Sequence, residues 1–369
     1  MNLVINGLRL MGQRLGVGRY VESLLRHWKT LSHPFDRILL YTPGPVGESL
    51  DLPPKAEHLI VPTRYSDGLW EQWVLPRLLG DRDLLFCPSY VAPFFGGGKT
   101  VLTHLGSYEA LPGAFPLYQR WKSRVLYELS ARRADLVITV SESSKKDIVR
   151  FYGIKPQKIR VVYLGVDPAF RPMRDEALIS STRQRYFGSD CPYILFVGKL
   201  SRRRNIPQLI AAFGRLKRER NIPHSLLLIG PDSADQDVPA LAKVHNVEAF
   251  VRHVEFASQP ELIAAYNAAD LFIYPSTYEG FGMPVLEAMA CGVPAIALRN
   301  SSFLEFAQDA AYLASDGSEE ELFGAMERVL DSPELRSRMR SAGILKAQQF
   351  GWASIARQTM ELLSEVATQ

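Results

Sequence analysis

Between Ala269 and Pro294 the chain reads Ala-Asp-Leu-Phe-Ile-Tyr-Pro-Ser-Thr-Tyr-Glu-Gly-Phe-Gly-Met-Pro-Val-Leu-Glu-Ala-Met-Ala-Cys-Gly-Val-Pro, and this stretch restricts the fold more than any other. The apolar run Leu271 to Tyr274 suits a short strand buried in a parallel sheet. Pro275 to Tyr278 end it with turn residues. Glu279-Gly280-Phe281-Gly282 then forms a tight loop, and Pro284 stands where the first turn of a helix tolerates proline. Gly292 and Pro294 close that helix after about two turns. The expected unit is strand, glycine-rich loop and short helix, with backbone N–H groups at the helix start that attract phosphate oxygens.

Two carboxylates frame the loop: Glu279 before the glycines and Glu287 one turn into the helix. Their spacing sets both near a crevice at the carboxyl end of a strand, where open α/β sheets bind ligands. The plainer alternative is a solvated loop glutamate plus one favoured by the helix dipole. Over residues 279–294 the order Glu-Gly-Phe-Gly-Met-Pro-x-Leu-Glu-Ala-Met-Ala-Cys-Gly-x-Pro closely resembles the signature of the family-four retaining glycosyltransferases. That resemblance implies the GT-B fold: two doubly wound Rossmann-like α/β domains facing across a cleft. It also implies that Glu279 orients a sugar, that Glu287 grips a ribose, and that Gly280, Phe281, Gly282 and Met283 approach a diphosphate.

A chain of 369 residues is long for one core, which agrees with two domains. With 47% apolar and 22% charged residues, disorder is excluded as the dominant state. No apolar run approaches the ~18 residues of a membrane span. Cys87, Cys191 and Cys291 are odd in number and far apart, which argues against a disulfide framework or zinc site and for a reducing cytoplasm. Residues 1–170 carry 22 Lys/Arg against 15 Asp/Glu, net +7, whereas residues 171–369 carry 21 against 24, net −3. The basic half calls for an anionic partner.

The expected domains are an acceptor-binding domain over 1–170, a polar linker over 171–191 and a nucleotide-sugar domain over 192–350. In the GT-B architecture the last helix, 351–369, crosses back onto the first domain. Gly16 and Gly18 open the helix after the first strand, and glycine there lets backbone N–H groups come close to a ligand. Under the resemblance they face the donor's sugar and phosphate. His104 ends a buried strand in Val-Leu-Thr-His-Leu-Gly-Ser-Tyr-Glu. It reads either as a hydrogen-bonded structural residue or, by resemblance, as a contact to the reacting sugar. The family's usual Asp after this His is Leu105 here, and Glu109 is the nearest carboxylate downstream.

Gly198-Lys199-Leu200-Ser201-Arg202-Arg203-Arg204-Asn205 follows the first strand of the second domain. Gly198 allows close backbone approach. Lys199 and Arg204 supply cations, and Arg204 stands at a position where the family usually has lysine. An arginine there brings bidentate phosphate geometry. Phe256, in a strand-exit loop, is expected at the edge of a nucleobase pocket.

Two Asp-x-Asp strings, Asp81-Arg82-Asp83 and Asp235-Gln236-Asp237, look like decoys for metal binding. No metal or other cofactor is expected, and the leaving diphosphate is assigned to Lys199, Arg204 and the loop N–H groups. The catalytic candidates are thus His104, Glu279, Lys199 and Arg204.

The implied reaction carries a sugar with retention from a nucleotide-diphosphate sugar, GDP-mannose preferred over a UDP-sugar, to a glycan or lipid-linked acceptor in envelope synthesis. A non-catalytic nucleotide-sugar-binding subunit and a nucleotide-sugar epimerase on the same fold stay open. The basic aromatic stretch Phe115 to Arg133 reads as a solvated helix or as one leaning on anionic lipid. The expected location is the cytoplasm, peripheral to the inner face of the membrane. Nucleic acid is not expected as a partner, because the basic residues follow no recognised binding motif.

Overall fold

A computed structural model describes residues 1–12, 16–47, 49–111, 114–173, 175–232 and 236–369. The chain divides into two compact units, one formed by Met1–Gly165 with Trp352–Gln369 and the other by Val166–Gly351.

The first unit holds seven strands: β1 (Leu3–Asn6), β2 (Ile38–Thr42), β3 (Ala56–Ile60), β4 (Leu84–Cys87), β5 (Lys99–His104), β6 (Leu136–Thr139) and β7 (Ile159–Val161). They form one parallel sheet in the order β3-β2-β1-β4-β5-β6-β7. Leu3 pairs with Ile38 on one side and with Leu84 on the other, so the strand order reverses between β1 and β4. The central strands are buried on both faces, which is why they read as unbroken apolar runs. The terminal helix Trp352–Thr368 packs within this unit. Trp28 Nε1 donates to Ala356 O at 2.9 Å, and Gly165 lies so close to Trp352 that a Cβ would sit 2.8 Å from its ring.

The second unit holds β8 (Tyr193–Val197), β9 (Ser225–Ile229), β10 (Val251–Val254), β11 (Leu271–Tyr274), β12 (Ala295–Leu298) and β13 (Tyr312–Ala314). Their order is β10-β9-β8-β11-β12-β13, again all parallel. Here the order reverses between β8 and β11, where Ile194 pairs with Leu271. Both strands are wholly buried. At about 1.5–3 kcal/mol for each large apolar side chain taken from water, they anchor the loops they end in.

Residues 171–191, expected as a linker, contain the helix Glu176–Phe187 and belong to the second unit. Asp175 caps its start by accepting from Leu178 N, and left-handed Gly188 ends it. The helix is held by ion pairs, Arg183 to Asp270 at 3.0 Å and Arg185 to Glu261, in place of a broad apolar face. The Asp81-Arg82-Asp83 string is structural at its second carboxylate: Asp83 accepts from Gly80 N and Asn2 N. Asp235 lies outside the described residues. Asp237 caps the helix Val238–Val244.

Candidate functional site

The chain reversal between β8 and β11 brings two loops side by side at the carboxyl edge of the second sheet, the place where open α/β sheets bind ligands. After β8 comes Gly198, at φ +146°, a backbone region L side chains rarely adopt. A Cβ there would stand 3.0 Å from Arg204 Nη1 and 3.3 Å from the Tyr274 ring. Glycine is therefore required both by conformation and by the arginine laid across it. Gly230, after β9, backs this turn so closely that a Cβ would overlap Gly198 O.

Arg204 and Glu279 form the electrostatic centre, and both are buried. Glu279 Oε1 accepts from Arg204 Nε at 3.3 Å, Arg204 Nη2 at 3.2 Å, Tyr274 Oη at 3.0 Å and Ser276 Oγ at 2.9 Å. Arg203 Nη2 reaches Oε2 at 3.4 Å. Burial by itself would raise the Glu279 carboxyl. The Arg203 and Arg204 guanidiniums and the two hydroxyls outweigh it and hold the carboxyl below the usual carboxylate range. The third nitrogen of Arg204, Nη1, donates to Lys199 O at 2.6 Å, and the guanidinium carbon lies 5.2 Å from the Tyr274 ring centre. Burial opposes the Arg204 charge, but Tyr274 and Glu279 more than restore it. Lys199 is exposed.

This geometry alters two expectations. The bidentate fork of Arg204, expected to face phosphate, is engaged with Glu279, because a buried guanidinium needs a counter-charge. The Glu279 oxygen expected to orient a sugar is likewise held by four donors. Beside this cluster Lys199 and Arg202 are the exposed cationic residues, and Arg203 is partly exposed.

The β11 loop is shaped from behind. Ser302 Oγ donates to Phe281 O and, at 3.4 Å, to Glu279 O, while Asn300 Nδ2 donates to Ser276 O at 3.1 Å. In a planar trans peptide the N–H opposes its carbonyl, so the amides of Gly280 and Gly282 are turned away from Ser302. Gly282 has φ +101°, and a Cβ would overlap the Phe303 ring. It precedes the helix Met283–Ala290, whose start has no side-chain cap. The Phe281 ring stacks on Phe306 at 4.8 Å and belongs to the core. Glu287 is buried on that helix and accepts from Tyr266 Oη at 3.1 Å. Phe256 is exposed beyond β10, two strands out from β8 along the same edge.

The remaining candidates lie in the first unit. Gly16 (φ +38°) precedes the helix Val17–Trp28, and Gly18 is buried in its first turn. His104 ends β5 with no exposed surface. Tyr90 and Tyr127 meet its ring edge-on at 5.0 and 5.7 Å, and Tyr152 lies at 5.3 Å. Neither ring nitrogen has a hydrogen-bond partner among the described residues, and burial lowers the imidazole to about 3. It is neutral at physiological pH. Tyr90, which covers it, has φ +26°, a strained value for a bulky residue. Residues not singled out in the sequence but central here are Arg203, Tyr274, Ser276 and Ser302. A hydroxyl at the last position of an otherwise apolar strand, as in Tyr274, was the available signal. Among the described residues no three His, Cys, Asp or Glu side chains converge as a metal-binding group.

Two family models match in tandem: Glycosyltransferase Family 4 over residues 15–170 and Glycosyl transferases group 1 over residues 181–346. The chain is 30% identical over 242 residues to O-antigen chain mannosyltransferase B of Escherichia coli, a match covering 65% of this chain and 63% of that protein. It is 30% identical over 253 residues to D-inositol 3-phosphate glycosyltransferase of Corynebacterium efficiens, covering 66% of this chain and 60% of that one. In both cases the match spans less than two thirds of the relative's own length. Among solved structures, Anabaena HepE in complex with UDP and glucose superposes with a TM-score of 0.79 at 20% identity, over 99% of this chain and 100% of that one. WaaG, a glycosyltransferase involved in lipopolysaccharide biosynthesis, gives 0.77 at 17% identity, over 99% and 100%. With matching models over both halves, and a parallel-sheet unit carrying the Glu279–Glu287 loop, the chain belongs to the family-four glycosyltransferases of GT-B fold.

Proposed function

We propose that this protein transfers a sugar, with retention and without a metal, from a nucleotide-diphosphate sugar to a glycan or lipid-linked acceptor in envelope polysaccharide or glycolipid synthesis. One observation carries the reading: an exposed lysine, a buried arginine and an uncapped helix start meet where the second sheet reverses its strand order. As the anomeric C–O bond breaks, negative charge grows on the terminal phosphate, and fixed positive groups there stabilise the transition state. Lys199 supplies the direct contact. Arg204 contributes its charge and, by holding Lys199 O, the position of the lysine's backbone.

The tyrosine-held Glu287 carboxylate would take ribose hydroxyls, and Phe256 would edge the base. His104, neutral, would accept or donate to a sugar hydroxyl once Tyr90 or Tyr127 turns aside. The names of the Escherichia coli relative and of a Mycolicibacterium hassiacum mannosyltransferase support a mannosyl donor, hence GDP-mannose, while the UDP bound to HepE supports a diphosphate in this fold.

Thermal-shift measurements with GDP, UDP and their sugar conjugates will identify the nucleotide. Lys199→Ala is expected to reduce turnover by roughly a hundredfold or more, as loss of a preorganised charge does. Near-native turnover of that variant, or activity lost to chelator and restored by manganese, would overturn the reading.

A further inference from the structure

We propose that Glu71 is a specificity residue for the acceptor, its second carboxylate oxygen taking a hydrogen bond from a sugar hydroxyl at the strand reversal of the first unit. The inference rests on the transferase reading above and names the group that recognises the other substrate. The first sheet reverses between β1 and β4, whose last residues are Asn6 and Cys87. Open α/β sheets bind ligands beyond such strand ends. Glu71 is brought there by Trp70–Val74, wound as one wide π-turn in which Leu75 N donates to Trp70 O, five residues back. Turns of this kind recur at functional sites. This one turns two consecutive residues inward, Trp70 with no exposure and Glu71 with 4%.

Trp70 is locked in the apolar core with Leu75 and Cys87. Glu71 is chemically foreign to that core. Its Oε1 accepts from Asn6 Nδ2 at 2.8 Å, whereas Oε2 has no hydrogen-bond partner among the described residues. Burial pushes the carboxyl up to about 6, against the pull of the Asn6 amide and of Arg9. Asn6 is otherwise occupied with its own turn, its Oδ1 accepting from Leu8 N at 3.1 Å. A glutamine would serve Asn6 equally well and bury no charge, so the bond to Asn6 does not account for an acid. What the acid adds is a second acceptor oxygen, at the position where glutamine would present a donor.

The neighbouring groups select the kind of donor that meets it. Arg9 is exposed, and its Nε donates to Ser89 Oγ at 3.3 Å in the loop after β4. A guanidinium coupled to Glu71 disfavours a cationic ligand, which leaves a neutral hydroxyl. Ser89 leads into Tyr90, whose ring stacks on Tyr127 at 5.1 Å, and the Tyr127 hydroxyl is coupled to both Arg9 and Glu71. Gln72 ties the π-turn to the same loop, bonding Ala92 O at 3.1 Å and Phe94 N at 3.0 Å. Aromatic rings with a few fixed polar groups suit a sugar, whose C–H faces pack on rings while its hydroxyls are read one by one.

Trp70 adjoins Glu71 and Trp73 lies about one turn further on, so tryptophan emission reads this site. The test titrates the full chain with methyl α-mannoside and methyl α-glucoside. A saturable change is expected with at least one of them. Glu71→Gln, which keeps an acceptor for Asn6, should weaken it about tenfold or more, as loss of a hydrogen bond to a charged group does. Glycosides lacking one hydroxyl in turn identify the donor: one of them should lose as much in wild type and nothing further in the variant. Wild-type affinity should rise as pH climbs through about 6 and Glu71 ionises, while the variant stays flat. The other groups coupled to Glu71 are Arg9, Asp67, Cys87 and Tyr127, residue types that titrate well away from that range. A merely structural glutamate would give no such step. Unchanged melting shows that the variant folds, and a nucleotide thermal shift on both proteins reads the donor site separately. Absence of that shift in wild type would overturn the donor reading by itself. No saturable sugar signal in wild type, equal affinity in Glu71→Gln, or a pH-independent wild type overturns the assignment of Glu71.

Discussion

At the level of single residues, the site is governed by one buried ion pair. Burial opposes the charge on both Arg204 and Glu279, and each charge is favoured by the other together with Tyr274. Breaking such a pair from one side leaves an unpaired buried charge, which costs about 3–5 kcal/mol. Glu279→Gln is therefore expected to destabilise the second unit by about that amount at pH 7, read from denaturant unfolding by far-UV circular dichroism. The sign with pH follows from the lowered Glu279 carboxyl. Its contribution is complete above the ordinary carboxylate range and is lost as pH falls through the lowered folded value. The gap between wild type and variant should accordingly persist at neutral pH and close only in acid. A loss below about 1 kcal/mol at pH 7 would mean the pair is solvated and worth no more than a surface salt bridge.

Single elements differ in how much the sequence discloses. The strands β8, β11 and β12 coincide with their apolar runs because both faces are buried and every position must be apolar. The edge strand β3 runs over Ala56–Ile60, where Glu57 and His58 break the apolar pattern and only Leu59 and Ile60 continue into the apolar run that ends at Val61. An edge tolerates them: Glu57 pairs with Arg37 and His58 Nε2 meets Thr42 Oγ1 at 2.8 Å. The helix Glu176–Phe187 was hidden for a related reason, being held by ion pairs and caps and not by an apolar stripe.

In the site, the glycine loop and its cations were legible because their spacing is local. The engagement of Arg204 by Glu279 was not, since it joins residues 75 apart whose contact only the sheet order creates. The glycines give a paired prediction. Gly282→Ala meets both a positive φ and the Phe303 ring, and should cost roughly 1–3 kcal/mol from the backbone alone, with nucleotide binding lost. Gly324→Ala, inside the helix Glu319–Asp331 with nothing within 4 Å of a new Cβ, should instead stabilise by roughly 0.5–1 kcal/mol. Thermal unfolding of the two variants with and without nucleotide checks both. Equal behaviour would show that the loop adapts to a side chain at position 282.

For the whole molecule, the uneven placement of tryptophan separates the two units experimentally. Trp28, Trp70, Trp73, Trp121 and Trp352 account for all five tryptophans of the chain, and every one belongs to the first unit. Tryptophan emission therefore follows that unit alone, whereas far-UV circular dichroism follows the helices and strands of both. The assigned nucleotide groups Gly198, Lys199, Arg204 and Glu279–Glu287 all lie in the second unit. A ligand that binds only the folded form stabilises by about 2.7 kcal/mol at a hundredfold excess over its Kd. Nucleotide diphosphate is thus expected to raise the dichroism transition and to leave the emission transition nearly in place.

Removing residues 352–369 should do the reverse. The deletion strips Trp28 of its bond to Ala356 O and removes Ile355, Met360 and Leu363, all buried within the first unit, so the apolar surface they cover is exposed to water. The emission of the four remaining tryptophans should then change at a lower temperature, with the nucleotide-induced shift retained. If nucleotide moves both signals equally, or if the deletion abolishes nucleotide binding, the units do not unfold as separate bodies, and the donor site draws on residues beyond Val166–Gly351.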